Sequence, residues 1–251
     1  TKKKIVILIL AIAVITGGFF LWKTIKSSKI PPPDSSFGAA SSTLTEGNEE
    51  NSGDTVKEEI KNQMPSLDRE IIVKGNFTEA QKADLTKQIK DTSELLKGNF
   101  DYYQGWLHLG LLRKAIEDYK GTEEAWKFAA LIRPKEFLAY NNLGVLYWQY
   151  LKDYPKAENN FLQSIENDPT QLMVYQNLHE LYRFSYKEKA DLADDILLQA
   201  IKSNPKNAGA LILLSRYYSD TGDKEKARAY LEKALALEPS NKEIQEELNR
   251  L

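Results

Sequence analysis

Few residues in this chain are suited to acid–base or metal chemistry. His108 and His179 are its only histidines, and it has no cysteine. A shared metal site would need carboxylates beside both histidines, and Glu180 is the only one close in sequence. No HExxH, phosphate-loop, dinucleotide-binding or nucleophile-elbow pattern occurs. We therefore expect a protein that is not an enzyme and uses no metal or cofactor, with His179 filling core space between helices.

Charge is distributed unevenly along the sequence. The first 29 residues contain six lysines and no acidic residue, whereas the remainder has 28 basic and 36 acidic residues. Affinity for nucleic acid comes largely from neutralised phosphates, so the acidic remainder argues against that class of partner. With 42% hydrophobic and 28% charged residues, the composition is that of a folded protein.

The N-terminal region has the pattern of a membrane anchor. Residues 5–22 carry no charge and are flanked by lysines on both sides. As a helix they would be about 27 Å long, close to the roughly 30 Å hydrocarbon core of a bilayer. A cleaved signal peptide is the alternative, but Phe19, Phe20, Leu21 and Trp22 are bulky where a cleavage site needs small residues. We predict one transmembrane helix within residues 1–26, and the lysine balance slightly favours an extracytoplasmic location for the rest.

A spacer and a capping region are expected next. Residues 27–63 are rich in serine, proline, glycine and acids, which predicts a disordered stalk, although a short helix near residues 55–63 remains an alternative. In the region 64–102, Thr78 and Gln81 have the spacing of a capping box. They predict a helix that ends near Gly98 and covers the end of a larger helical array.

From residue 103 the chain repeats itself. Prolines recur at positions 134, 169, 205 and 239, each after an apolar helical pattern. Proline ends a helix because it lacks an N–H and displaces the preceding residue from the α region. A period near 34 residues with two helices per unit is typical of a helical solenoid. We predict units at residues 103–136, 137–171, 172–207 and 208–241, followed by a C-terminal capping helix at 242–251.

These units resemble tetratricopeptide (TPR) repeats, in which an aromatic residue, leucine, a small residue and tyrosine precede alanine, an aromatic residue, alanine and proline. The second unit shows the pattern most fully, with Tyr140, Leu143, Gly144, Tyr147, Ala157, Phe161, Ser164 and Pro169. Arg113 in the first unit and His179 in the third depart from it. The resemblance implies an all-α, right-handed α-α superhelix whose first helices line a concave groove. That groove would bind an extended peptide or a partner helix.

The resemblance also indicates which residues would line the groove. We expect a partner-binding surface that includes Gln104, Leu107, Lys114, Asn141, Asn142, Trp148, Gln176, Glu180, Arg183 and Arg216. Trp148 either anchors a partner or packs against the next helix pair. A clamp for a terminal carboxylate is not expected, because Leu107 and Leu111 stand where the family's clamp has lysine and asparagine, although Asn142 matches a second clamp position.

Two kinds of function remain. The leading hypothesis is a membrane-tethered scaffold that binds other proteins in the groove. The alternative is a structural, self-associating component of a membrane or envelope complex that has no peptide ligand. The sequence does not identify a partner protein.

Overall fold

The computed structural model describes residues 50–251, and every regular element in that range is a helix. The chain divides into two compact units, one through Pro134 and the other Lys135–Leu251. The predicted membrane anchor at 1–26 and residues 27–49 of the predicted stalk lie outside the described residues. Among the helices that are described, none combines the length and apolar character needed to cross a bilayer.

The N-terminal unit contains four helices within the described range. They are α1 (Glu50–Lys61), α2 (Glu79–Gly98), α3 (Tyr103–Ala115) and α4 (Tyr119–Ile132). The prediction of a disordered stalk is wrong where α1 lies. Glutamate and lysine favour a helix even in a segment that has few apolar residues. In addition, Glu58 pairs with Lys61 one turn later.

Helix α2 begins and ends where the sequence predicted. The side chain of Thr78 accepts from the backbone of Gln81, and the Gln81 side chain accepts from the backbone of Thr78, so the capping box is confirmed. Leu85, Ile89 and Leu96 are fully buried. This narrow stripe packs α2 against α3, as expected for a helix that covers the end of an array.

The C-terminal unit contains three helix pairs and one further helix. The helices are α5 (Phe137–Val145), α6 (Tyr154–Asn167), α7 (Leu172–Glu180), α8 (Ala193–Ser203), α9 (Ala208–Thr221), α10 (Lys224–Leu237) and α11 (Lys242–Arg250). Consecutive helices pack against each other through this unit. In α11 only Ile244 is buried, and the other residues are polar or partly exposed, which suits a helix that closes the array.

The second helix of three of the four pairs begins at an aspartate. Asp118, Asp153 and Asp223 each accept a hydrogen bond from the backbone N–H three residues later, at 3.0, 3.2 and 3.0 Å. This satisfies one of the helix's unpaired N–H groups and places a carboxylate at its positive end. The third pair lacks such a cap and begins instead with a 3-10 turn, Lys187–Leu192.

The residues that lengthen the second and third repeats are absorbed by π-helical turns. These turns continue α5 over Leu146–Leu151 and α7 over Leu181–Ser185. A π-turn holds one more residue than an α-turn, so it accommodates an insertion without shifting the next helix. Lys152 then reverses the chain in the left-handed conformation, with φ of 56°. At the corresponding turn of the fourth repeat this conformation belongs to Gly222, with φ of 92°.

The small residue of each first helix sets how closely the two helices of a pair approach. A Cβ on Gly144 would lie 2.5 Å from a ring atom of Phe161, so only glycine fits. In the third and fourth repeats the facing residue is leucine, and the small position holds His179 and Ser215. Both donate to a main-chain carbonyl of the second helix, His179 to Ala193 at 2.7 Å and Ser215 to Ala227 at 2.7 Å.

Candidate protein-binding surface

The residues predicted to line a groove differ widely in exposure. Gln104 and Arg216 are exposed, while the half-buried group comprises Lys114, Asn142, Gln176, Glu180 and Arg183. Leu107, Asn141 and Trp148 are buried. The first repeat belongs to the N-terminal unit and the other three to the C-terminal unit, where α5, α7 and α9 are the first helices.

Trp148 packs against the next helix pair. Only 9% of its surface is exposed, its Nε1–H donates to Ser185 Oγ at 2.9 Å, and its ring meets the edge of Phe161 at 6.5 Å between centroids. Of the two alternatives that the sequence left open, the structure shows the packed one. Trp148 therefore joins the second repeat to the third and is not free to enter a partner.

Asparagine and glutamine side chains form a second junction between first helices. Asn177 Nδ2 donates to the buried Asn141 Oδ1 at 2.9 Å, which joins α5 to α7. On the same helix, Gln176 Nε2 donates to Glu180 at 3.0 Å. Asn141 is therefore part of the repeat interface, whereas Gln176 and Glu180 keep part of their surface in solvent.

The two predicted arginines brace neighbouring elements. Arg183 donates to Asp220 at 3.0 Å, and its guanidinium lies over the rings of Phe184 at 4.8 Å and Tyr217 at 5.3 Å. Arg216 Nε donates to Glu247 of α11 at 3.1 Å. The Glu247 hydrogen bond raises the pKa of Arg216, so this guanidinium stays charged. Both cations already have carboxylate partners, which leaves apolar contacts as the main attraction that this surface offers.

Apolar side chains remain accessible on the same helices. Met173 exposes 49% of its surface at the start of α7. Ile212 on α9, Leu138 and Val145 on α5 are half-buried. Gly209 occupies the position in the fourth repeat that Met173 has in the third, and the Leu172 side chain lies 3.0 Å from where a Cβ on Gly209 would be.

Sequence reasoning missed a pair of buried tyrosine–carboxylate contacts between repeats. Tyr182 donates its hydroxyl to Glu158, and Tyr218 donates to Asp194 at 3.1 Å. Burial and the carboxylate each raise the pKa of both tyrosines. In each case the acid directly follows the alanine that opens the second helix of the preceding repeat. This recurrence is visible in the sequence and could have predicted the two contacts.

Lys189 extends the first of these contacts. Its Nζ pairs with Glu158 and lies 5.8 and 5.7 Å from the ring centroids of Tyr182 and Tyr186. The 3-10 turn of the third repeat is thereby fixed to the second repeat. The lysine neutralises a carboxylate that would otherwise be buried without a cation.

His179 lies in the core, as the sequence predicted. It is buried, its imidazole donates to the Ala193 carbonyl, and its ring meets the edge of Tyr217 at 5.3 Å. Burial lowers the pKa of His179 and favours the neutral ring. Residues 50–251 contain no group of three or more histidine, aspartate or glutamate side chains placed to hold a metal ion.

Comparison with known proteins supports the repeat assignment. The family model described as tetratricopeptide repeat matches residues 138–171 and 208–241. Tetratricopeptide repeat protein 37 of Xenopus laevis is 28% identical over 126 residues, which are 50% of this chain and 7% of that protein. BBSome complex member BBS4 of Bos taurus is 30% identical over 126 residues, 49% of this chain and 23% of that protein. The chain thus spans less than a quarter of the length of either relative.

Two solved structures can be aligned with this chain. A crystal structure of MamA aligns with a TM-score of 0.49 and 20% identity, covering 64% of this chain and 92% of MamA. YrrB, described as a TPR protein with an unusual peptide-binding site, aligns with a TM-score of 0.46 and 16% identity over 68% of this chain and 87% of YrrB. Within residues 50–251 every regular element is a helix, and the segments 138–171 and 208–241 match the tetratricopeptide-repeat model.

Proposed function

We propose that this chain is a protein-binding scaffold whose ligand, an extended segment or a partner helix, lies across α5, α7 and α9. The observation that carries the proposal is Met173, which exposes 49% of its surface. Arg183 and Arg216, the cations predicted on this surface, are already paired within the chain. Methionine is unbranched and polarizable, so it adapts to different apolar side chains of a ligand.

The chemistry of the surface specifies the kind of segment. Leu138, Met173 and Ile212 offer apolar contacts, and the partly exposed Gln176 and Asn142 offer amide donors and acceptors. A ligand that places two or three apolar side chains on one face of an otherwise polar segment fits this arrangement. Burying one such side chain is worth about 1.5–3 kcal/mol.

Site-specific photo-crosslinking in cells tests the surface. A photo-reactive amino acid is placed at Met173 of the full chain and, as the matched control, at Leu162. Leu162 has a similar exposure of 41% but lies on the second helix of the repeat before. We expect discrete crosslinked proteins from position 173 that are absent from position 162. An identical set of products from both positions would contradict the proposal.

The affinity of a partner identified in this way provides a second measurement. Met173→Asp should weaken binding about 10-fold or more, because about 1.4 kcal/mol or more of apolar burial is lost. Leu162→Asp should leave the affinity unchanged. Equal effects of both substitutions would place the binding site elsewhere.

Membrane tethering and an extracytoplasmic location are further parts of the proposal. They are supported by the uncharged residues 5–22 and by the lysines on both sides of them. Alkaline carbonate extraction of membranes from expressing cells should leave the full chain in the pellet, and deletion of residues 5–22 should release it. External protease applied to intact cells should then digest the repeats. A full chain that carbonate releases would argue against the tether.

A further inference from the structure

The segment between α1 and α2 lies on the first helix pair without forming regular structure of its own. Leu67 is buried, and Lys74 donates its backbone N–H to the carbonyl of Ile116 at 3.3 Å. Between the segment and the first helix pair there is only a small cavity of about 10 Å³, which Pro65 and Ser66 line on the side of the segment. The segment is therefore held in a defined position by the two helices.

Arg113 holds the backbone of this segment. In the repeat pattern it replaces the tyrosine that the other three repeats have, and only 2% of its surface is exposed. Its guanidinium donates to the carbonyl of Arg69 at 3.0 Å and to that of Glu70 at 2.8 Å. The two carbonyls follow directly after the turn at residues 67–68, so Arg113 fixes the backbone where the segment leaves that turn.

A carboxylate site receives the arginine side chain of the segment. Arg69 donates to both oxygens of Asp118, at 2.8 and 3.0 Å, and to Glu124 at 3.3 Å. Asp118 also accepts from Arg113 at 3.2 Å and from the Gly121 N–H. Burial alone would raise the pKa of Asp118, but the Arg69 hydrogen bonds and the nearby cations hold it below its ordinary value. This bidentate geometry suits a guanidinium and not an ammonium group.

Two features of the site suit ligand binding: a glycine that leaves space for the guanidinium, and a cleft beside the ion pair. A Cβ on Gly121 would clash with the Asp118 carboxylate and come within 3.1 Å of Arg69 Nε, so glycine keeps the space for the guanidinium. A cleft of about 580 Å³ lies beside the pair, between residues 69–74 of the segment and residues 117–120 of the turn. An incoming chain can reach the pair through this cleft.

We propose that the first repeat carries a binding site for an arginine-bearing peptide segment, and that residues 65–74 occupy it in cis. Arg113 binds the carbonyls of the arginine and of the residue after it, and Asp118 with Glu124 binds the arginine side chain. The segment is released as a unit when its ion pair is removed, and the empty site then accepts a segment of the same chemistry from another molecule. The surface proposed above for other proteins lies in the other unit and is independent of this site.

The test combines a release measurement with a binding measurement on the full chain. Arg69→Ala removes the arginine of the cis segment, and Lys97→Ala is the matched control, because Lys97 forms an exposed ion pair with Asp68 of the same segment at 2.6 Å. In hydrogen exchange, the amides of residues 66–74 should exchange about 10-fold faster or more in Arg69→Ala, since 1.4 kcal/mol of lost binding corresponds to that factor. They should change less than about 3-fold in Lys97→Ala. The amides of α3 and α4 should stay protected.

The binding measurement uses a fluorescent synthetic peptide with the sequence of residues 64–76. We expect it to bind the Arg69→Ala chain, and to bind the unchanged chain at least about 10-fold more weakly because the cis segment is present at high effective concentration. A peptide with arginine replaced by alanine should bind the Arg69→Ala chain at least about 10-fold more weakly than the original peptide.

Three results would overturn the proposal. Unchanged exchange at residues 66–74 in Arg69→Ala would show that the ion pair does not retain the segment. Equal binding of the two peptides would show that the arginine is not recognised. A joint loss of protection in the segment, α3 and α4 would show that the segment is a fixed part of the core.

Discussion

Replacing Gly144 by alanine tests how the first and second helices of a repeat are packed. A Cβ at this position would lie 2.5 Å from Cε1, 2.6 Å from Cδ1 and 3.0 Å from Cγ of Phe161, which is fully buried. Overpacking of this kind costs about 1–3 kcal/mol. Alanine is better than glycine in a helix by about 1 kcal/mol, so we expect a net loss of up to about 2 kcal/mol in the free energy of unfolding.

A double-mutant cycle separates packing from helix propensity. Phe161→Leu removes the ring atoms that the new methyl group meets, and the fourth repeat already combines leucine at this position with Ser215. Because the propensity term is the same with either partner residue, it cancels in the cycle. The remaining coupling energy should be about 1–3 kcal/mol, in the direction that makes Gly144→Ala less harmful when Phe161 is leucine.

Native-state hydrogen exchange of the α5 and α6 amides is the appropriate assay, because the chain has two units and bulk unfolding would mix them. Gly98→Ala, measured on the α2 amides of the N-terminal unit, is the control, since no neighbouring atom lies within 4 Å of the Cβ that it would add. That control should be neutral or stabilise by up to about 1 kcal/mol. A coupling energy within about 0.5 kcal/mol of zero would refute the packing argument.

Two other predictions concern buried polar groups of the C-terminal unit. Burial lowers the pKa of His179, so the unfolded chain binds a proton more readily and the stability of the C-terminal unit should fall as pH drops below about 6.5. His179→Gln should flatten this dependence when native-state hydrogen exchange of the α7 and α8 amides is compared at pH 7.5 and 5.5, and an unchanged slope would contradict the assignment. Glu158→Gln weakens the bonds from Tyr182 and Lys189 and should cost about 1.5–3 kcal/mol in the free energy of unfolding. Lys156→Gln, which removes an exposed pair with Asp153 and a cation–π contact with the Tyr147 ring at 5.4 Å, should cost about 1 kcal/mol or less, and equal losses would show that burial of Glu158 adds nothing.

The helical organisation of the described region could be predicted because its signals are local. Proline spacing, the Thr78 capping box and the apolar period each act within one or two turns of the chain, where backbone geometry is fixed by neighbouring residues. The helix at Glu50–Lys61 was predicted only as an alternative over residues 55–63, because few apolar residues mark it and low hydrophobicity favoured disorder.

The candidate site was less predictable. The family pattern places Trp148 and Arg183 on the face of the first helix, and helix geometry supports that position. Whether such a side chain meets solvent or the next repeat depends on the π-helical turn that brings Ser185 beside Trp148, and on Asp220 arriving beside Arg183. These contacts join residues 37 positions apart, a distance over which a local pattern carries no information.

The sequence by itself determined that this region is an array of helix pairs, where the pairs begin and end, and that His179 belongs to the core. Periodicity and proline act along the chain, so the chain is sufficient to show them. Only the tertiary structure decided that Trp148 is buried, that Glu158 and Asp194 receive tyrosine hydroxyls, and that Arg113 holds the segment between α1 and α2. Each of those outcomes depends on which distant groups satisfy a buried donor or acceptor, and that pairing exists only once the helices have packed.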